Sequence, residues 1–260
     1  MKKVIIFLAL LISLQGFGQT VLRSGSTVLT VYDSQQPLNI ETTCEGWYDG
    51  DNDQSFTLDG TSVDRWWDLS GNDRHLNNTN ADATRPTYDI NTGRVTFTAA
   101  NSTFLQSAAF GAALAQPNTV FIVTKMTGGD EYAIDGVTTL TQIIASVAGN
   151  FRIYAGAWLI DGVSNTNYNI HCGLFNGVNS NHWVNGVSGG IGNAGTRGLD
   201  GITLGTRGDL GSPSDVEIKE VIVFGADISD VDRDKITGYL ANKWDITATT
   251  DFKGYVLRQD

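Results

Sequence analysis

Three aspartates, Asp49, Asp51 and Asp53, stand at alternate positions of a turn-rich stretch. That spacing can fold three carboxylates round one hard cation, and Ca2+ is the ion it suits. An EF-hand loop starting at Asp49 would want Gly sixth and Glu twelfth, where this chain has Gln54 and Gly60. Aspartates in such turns also bond their own backbone. Paired carboxylates are the second chemistry to look for, because glycosidic bonds are cleaved between two of them. Glu217 and Glu220 lie three apart in a strand-like run, which predicts opposite faces of a period-2 element. Glu131 and Asp135 share a face in a stretch read as loop. His75, His171, His182, Cys44 and Cys172 are scattered singly, without the spacing of a zinc site. His171 reads as a strand residue, in the core or on the surface. No Gly-x-Ser-x-Gly elbow offers a nucleophile.

Stacking chemistry is better represented. Aromatic rings pack on pyranose faces while Asp, Asn and Arg fix the hydroxyls. Tyr132, Tyr154, Trp158, Tyr168 and Trp183 are candidates, with Asp161, Asn165 and Asn185 as polar partners. Tyr154 and Trp158 flank the glycine-broken run YAGAWLIDG. A glycine-flanked aromatic has little neighbouring bulk to cover it, so its ring face can stay open. The expected carbohydrate-binding residues are therefore Tyr154, Trp158 and Asp161, with Tyr132 and Tyr168. Trp183, in a strand before a turn, reads equally as core or surface.

The elements that must position these groups are mostly strands. Gly is 30 of 260 residues, and short β-branched and aromatic runs recur between turn clusters. Strands are expected over Thr27–Tyr32, Arg94–Thr98, Thr119–Lys125, Gln142–Val147, Phe151–Ala155, Asn167–Phe175, His182–Val184, Gly201–Gly205 and Glu217–Phe224. The run Thr119–Lys125 is apolar on almost both sides, which predicts a central strand packed on two faces. One helix is expected from Asp230 to Trp244. Ser229 is its N-cap, and Ile236, Tyr239, Leu240 and Trp244 make one apolar stripe.

Composition bounds the function. Lys2 and Lys3 precede the apolar run Val4–Leu14, and Gly16-Phe17-Gly18 offers a cleavage site. The run is shorter than the roughly 18–20 residues that span a bilayer, so residues 1–18 read as a signal peptide. No later segment is long and apolar enough to span. Removing two lysines takes the formal charge from −11 to −13. So acidic a chain is a poor partner for nucleic acid, and it disfavours anionic polysaccharides unless a local basic site compensates. The expected location is secreted, periplasmic or cell-surface. In an oxidising compartment Cys44 and Cys172 either pair, with 127 residues between them, or stay as two buried thiols.

The order of motifs resembles a known family. Trp47-Tyr48-Asp49-Gly50, the Trp66-Trp67-Asp68-Leu69-Ser70-Gly71-Asn72 turn and Arg85-Pro86-Thr87-Tyr88 open the pattern. Asn185-Gly186, Leu199–Gly205, Glu217–Phe224 and Gly238–Ile246 continue it. Together they resemble laminin G-like domains of the concanavalin A-like lectin/glucanase superfamily, over roughly residues 45 to 246. One departure is the short stretch Thr92–Phe104, which ends in FTAANSTF where the family has a fuller F-D-G segment.

The resemblance implies an all-β fold: a two-sheet antiparallel jelly-roll sandwich with one short C-terminal helix. It divides the chain into a signal peptide (1–18), an N-terminal arm or edge strand (19–40), the jelly roll (41–250) and a tail (251–260). It implies core positions for Trp47, Trp66, Trp67 and Trp244. The family's glucanases carry Glu-x-Asp-x-x-Glu on one strand, and this chain lacks it. The jelly-roll lyases need a Gln-His pair, and none of the three histidines follows Gln at the expected spacing. The leading expectation is a non-catalytic, lectin-like module whose partner is a poly- or oligosaccharide. Its alternatives are a divergent glycoside hydrolase or polysaccharide lyase, and an adhesive or structural decoration protein of a cell surface or virus particle. No motif demands a cofactor, and Ca2+ at Asp49, Asp51 and Asp53 is the one candidate.

Overall fold

A computed structural model describes residues 19–24, 27–32, 37, 43–78, 82–138 and 140–250. The leader at 1–18 and the tail at 251–260 lie outside the described residues. In chain order the strands are β1 (Gln19–Ser24), β2 (Thr27–Tyr32), β3 (Cys44–Asp49), β4 (Phe56–Asp59), β5 (Ser62–Trp66), β6 (Leu76–Asn77), β7 (Thr87–Asp89), β8 (Arg94–Phe97), β9 (Leu105–Gln106), β10 (Asn118–Met126), β11 (Glu131–Asp135), β12 (Ile143–Val147), β13 (Asn150–Tyr154), β14 (Trp158–Val163), β15 (Asn169–Phe175), β16 (Asn181–Val184), β17 (Val187–Ser188), β18 (Thr203–Leu204) and β19 (Val216–Phe224). The helix α1 (Asp230–Trp244) follows.

β1 and β2 pair only with each other. The rest form two antiparallel sheets. The back sheet runs β17–β16–β15–β10–β19–β3. The front sheet runs β4–β5–β6–β9–β18–β11–β12–β13–β14. β7 and β8 join the two at one corner, because β8 pairs with β19 and β7 with β5.

The back sheet is apolar on both faces, as the pattern of β10 predicts. Val120, Ile122, Val221 and Val223 point between the sheets, against Ile134, Ile144, Phe151 and Ile153 of the front sheet. Phe121, Ile222, Trp47 and Cys172 point the other way, under Ile236, Tyr239 and Leu240 of α1. The helix forms where its cap predicts: the Ser229 hydroxyl accepts from the Asp232 amide at 3.1 Å. Asp245, at left-handed φ 53°, ends it.

A bulge in β19 corrects one expectation. Val123 pairs with Glu220 and Thr124 with Ile218, so Lys219 is an extra residue. Ile218 and Val221 both face the inter-sheet core. Glu217 and Glu220 therefore share the helix-side face instead of opposing each other. A second correction concerns Glu131 and Asp135, which belong to strand β11 and not to a loop. Glycines at 128, 129 and 136 bracket that short run and mask its strand character in sequence.

The tryptophans divide. Trp47 and Trp66 are buried, while Trp67 and Trp244 are only partly covered. Trp66 and Trp67 are adjacent, so one points inward and the other out. Trp67 lies under the Arg65 guanidinium, 4.5 Å from the ring centroid. Cys44 and Cys172 are free and buried. They sit on β3 and β15 with β19 and β10 between them, three inter-strand steps of about 4.8 Å each. That span exceeds the reach of a disulfide, roughly 7 Å between Cα atoms.

Candidate functional site

Among the described residues, the outer face of the front sheet is the face no helix covers. Its register places Tyr132 of β11 beside Ala145 of β12, Ala145 beside Arg152 of β13, and Arg152 beside Ile160 of β14. The next row carries Ile143, Tyr154 and Trp158. Ala145 and Ile143 are buried beneath the longer side chains around them. Tyr132, Arg152, Tyr154 and Trp158 are half-buried, and Ile160 is exposed.

Tyr154 and Trp158 face each other across the tip of the β13–β14 hairpin, ring centroids 4.9 Å apart at a 53° tilt. The tip turns at Gly156, whose φ is 118°. A neighbouring loop docks on it: the amides of Ala155 and Ala157 donate to the Ala194 carbonyl at 2.6 and 2.9 Å, and the Arg197 amide donates to the Ala155 carbonyl at 2.8 Å. Gly195 permits this approach, since a Cβ there would stand 2.3 Å from the Ala155 carbonyl oxygen. The result sets the Arg197 guanidinium 5.6 Å from the Tyr154 ring centroid. Arg152 lies 6.0 Å from the Trp158 ring, and Arg207 lies 5.8 Å from the Tyr132 ring.

Asp135 holds the loops at this end. It is buried, and its carboxylate accepts from the amides of Gly136, Leu140, Thr141 and Gly208 at 2.8 to 3.0 Å. Burial pushes its carboxyl above the usual range, and these amides pull it back. The clamp ties the 136–141 loop to the turn that carries Arg207. Arg152, Arg197 and Arg207 are the residues the sequence reading missed. Arg152 was legible, because it stands two before Tyr154 in a strand and so shares its face. Arg197 and Arg207 arrive on loops, and no sequence spacing announces them.

The structure brings together Tyr132, Tyr154 and Trp158 and separates them from the other expected residues. Asp161 points into the sandwich, where its carboxylate lies 3.3 Å from His182 Nδ1 with no hydrogen bond between them. His182 Nε2 meets His171 Nδ1 at 3.1 Å, so His171 is a core strand residue. Burial keeps both imidazoles neutral, with the His182 pKa lowered to about 3, and burial raises that of Asp161.

Tyr168 sits across the molecule on the helix side. Its hydroxyl donates to Glu217, and the Lys219 ammonium lies 4.6 Å from its ring centroid. A pocket of about 410 Å³ opens there, lined by Asn165, Asn169, Asn185 and Trp244 among others. Its asparagines are largely turned on one another: Asn169 donates to Asn165 at 3.0 Å and Asn185 to Asn169 at 2.9 Å. Trp183 is half-buried under the Arg233 guanidinium, 4.2 Å from the ring.

Neither carboxylate pair is arranged for hydrolysis. Glu220 is sealed under α1 and accepts from Trp47 Nε1, Tyr239 Oη, Trp244 Nε1 and Lys243 Nζ at 2.8 to 3.0 Å. Glu131 accepts from the Asp215 amide at 2.7 Å, while Asp135 is the loop clamp. Asp49, Asp51 and Asp53 do not converge. Asp49 is buried against Lys243 Nζ at 2.5 Å and accepts from the Asp51 amide at 2.9 Å, as a turn former does. Asp51 and Asp53 are exposed. Among the described residues no three His, Cys, Asp or Glu side chains gather as metal ligands.

No family model and no curated protein matches the sequence. Solved structures do match. The binding domain of botulinum neurotoxin DC in complex with SialylT superposes with a TM-score of 0.54 at 10% identity, over 77% of this chain and 52% of that one. A botulinum neurotoxin type C structure, described as dependent for cell entry on two ganglioside molecules, gives 0.55 at 9%, over 78% and 53%. Trypanosoma rangeli sialidase gives 0.50 at 12%, over 80% and 34%. The likeness is one of fold. This chain spans about half the length of the neurotoxin chains it matches and about a third of the sialidase. Among the described residues no helix is long and apolar enough to cross a membrane.

Proposed function

We propose that this chain is an exported, non-catalytic carbohydrate-binding module, laminin G-like within the concanavalin A-like superfamily. Its recognition surface is the outer face of the front sheet. The observation that carries the reading is the group Tyr132, Tyr154 and Trp158: three half-buried rings on the one sheet face that α1 leaves open. Rings held by cross-strand packing lose little freedom when a sugar stacks on them, which favours binding. Two of the matched neurotoxin structures concern SialylT and ganglioside molecules, which supports glycan recognition on this scaffold. The carboxylates that hydrolysis would need are committed to structural bonds, as the surroundings of Glu220 and Asp135 illustrate.

The test is a panel of polysaccharides incubated with residues 19–260, with and without Ca2+. Saturable binding without release of reducing ends or unsaturated products is expected. Turnover that vanishes when one loop carboxylate is replaced would overturn the reading in favour of a hydrolase or lyase.

A further inference from the structure

We infer that the front-sheet face takes an acidic polysaccharide, and that Arg152 reads its carboxylate. This rests on the carbohydrate-binding reading and adds the class of sugar. The chain has a formal charge of −11, with 17 basic against 28 acidic side chains. Against that excess, three arginines stand among three aromatic rings on one sheet face. A local cationic site inside an acidic protein focuses attraction on that face alone.

The three arginines differ in what holds them. Arg197 Nη1 donates to the Leu140 carbonyl at 2.5 Å, and Arg207 Nη2 reaches Asp209 at 3.4 Å. Arg152 has no such tie. Arg65, Arg74, Arg85, Arg94 and Arg233 each have a hydrogen bond or an ion pair. Arg152 has only the Trp158 ring at 6.0 Å, and its Nε is shielded from water without an acceptor. Arg74 Nη1, Arg94 Nε and Arg207 Nε share that state, but each of those guanidiniums has a partner at another nitrogen, and Arg152 has none at any of its donors.

Two carboxylates at this end of the sheet are spent elsewhere. Asp161, on the neighbouring strand, points to the opposite side of the sheet toward His182. Asp135 is taken up by four backbone amides. The Arg152 Nη groups, which unlike Nε are open to solvent, are therefore free to take an acceptor from a ligand.

The geometry fits a uronate. A hexuronate carries its carboxylate on the ring edge, so a ring stacked on Trp158 sets that group beside it, where Arg152 lies. The planar guanidinium fork matches a carboxylate in two parallel hydrogen bonds. Arg197 and Arg207, fixed over Tyr154 and Tyr132, add charge for neighbouring residues of the polymer. Ala145, lying between Tyr132 and Arg152, keeps the floor between them low.

Binding of residues 19–260 to polygalacturonate, alginate and hyaluronate is measured by calorimetry. Fully methyl-esterified polygalacturonate and dextran are the neutral arms, and dextran sulfate tests for any anion. At least one carboxylated polymer is expected to bind, more weakly as salt rises. Polygalacturonate, if bound, should exceed its ester by about tenfold, the worth of one charge-assisted bidentate pair. Arg152→Gln should collapse the carboxylated polymer's advantage, and Arg152→Lys should restore it in part, with circular dichroism confirming the fold of each variant. Equal affinity for acid and ester overturns the inference while the sugar reading stands. Binding of dextran sulfate alone overturns the carboxylate assignment. If no acidic polymer binds, the inference fails, and the neutral arms then decide the sugar reading separately.

Discussion

Trp158→Ala is the substitution that best separates recognition from packing. Trp158 is half-buried and stacks only at a tilt on Tyr154, across the strand pair. A cross-strand aromatic pair contributes about 0.2–1 kcal/mol to a sheet. Losing a sugar-stacking ring costs on the order of 1–1.5 kcal/mol of binding, by analogy with aromatic pairs. Since about 1.4 kcal/mol is tenfold in affinity, the dissociation constant for the bound glycan should rise roughly five- to tenfold. Stability should fall by less than about 1 kcal/mol. Trp66→Ala is the counterpart: its ring is fully buried between Phe56 and Tyr48, so about 3–5 kcal/mol of stability is expected to go. Calorimetric titration reads affinity, and urea denaturation followed by fluorescence reads stability. Should Trp158→Ala unfold the protein as readily as Trp66→Ala, the ring is a core group. Should it leave both affinity and stability unchanged, the recognition surface lies elsewhere.

Lys243→Met should destabilise the fold by about 3–5 kcal/mol at pH 8, because it strands the buried Glu220 and Asp49 carboxylates that share the ammonium. Burial already raises the Glu220 pKa and Lys243 holds it down, so in the variant the folded state gains a proton more readily than the unfolded one. The penalty must then shrink toward pH 5, and an equal loss at both pH values in urea titrations would contradict this. His182→Gln tests the neutral core imidazole. With the folded pKa lowered to about 3, the unfolded chain alone takes up the proton as pH falls below about 6.5, and stability drops by about 1.4 kcal/mol per pH unit. The variant should lose about 2 kcal/mol less than the parent between pH 6.5 and pH 5, and parallel pH profiles would show that His182 is charged when folded. Ser229→Ala removes the cap of α1 and should cost about 1 kcal/mol, read as a melting temperature lower by roughly 2–4 °C.

What the sequence revealed and what it hid follow from how local each signal is. The helix at Asp230–Trp244 was legible to the residue, because capping and the apolar stripe are written within fifteen consecutive positions. β10 and β19 were legible because long apolar strands alternate over nine residues. Among the strands of two to five residues, β8, β12, β13, β16 and β18 were legible, and β6, β9 and β11 were not. Their apolar pattern is too short to stand out, and their partners supply the order. The bulge at Lys219 was invisible, since one extra residue reverses face assignment without changing composition. The meeting of Tyr154 and Trp158 was legible from a hairpin with Gly between them. Asp161 does not join them, because three residues beyond Trp158 in a strand is the opposite face.

The layer order itself selects where recognition can occur. The back sheet is packed on one side by the front sheet and on the other by α1, so its strands offer a ligand mainly their ends and the edge strands β17 and β3. The polar groups buried on its helix side are there to dock the helix: Glu220 gathers two indoles, a phenol and an ammonium into one cluster. Among the described residues no helix covers the other side of the front sheet; over β4, β5, β6, β9 and β18 that side carries Thr57, Arg65, Asn77, Gln106 and Thr203, and over β11–β14 it carries Tyr132, Arg152, Tyr154, Trp158 and Ile160. A solvated sheet face in a stable monomer ordinarily carries small polar and charged side chains. The β11–β14 end instead carries large rings and arginines, and Asp135 and Gly195 hold the loops that bring Arg207 and Arg197 there. That arrangement is confined to one end of the front sheet. It is accounted for if the face must present rings and cations in a fixed array to a partner that is itself regular, as a polysaccharide chain is.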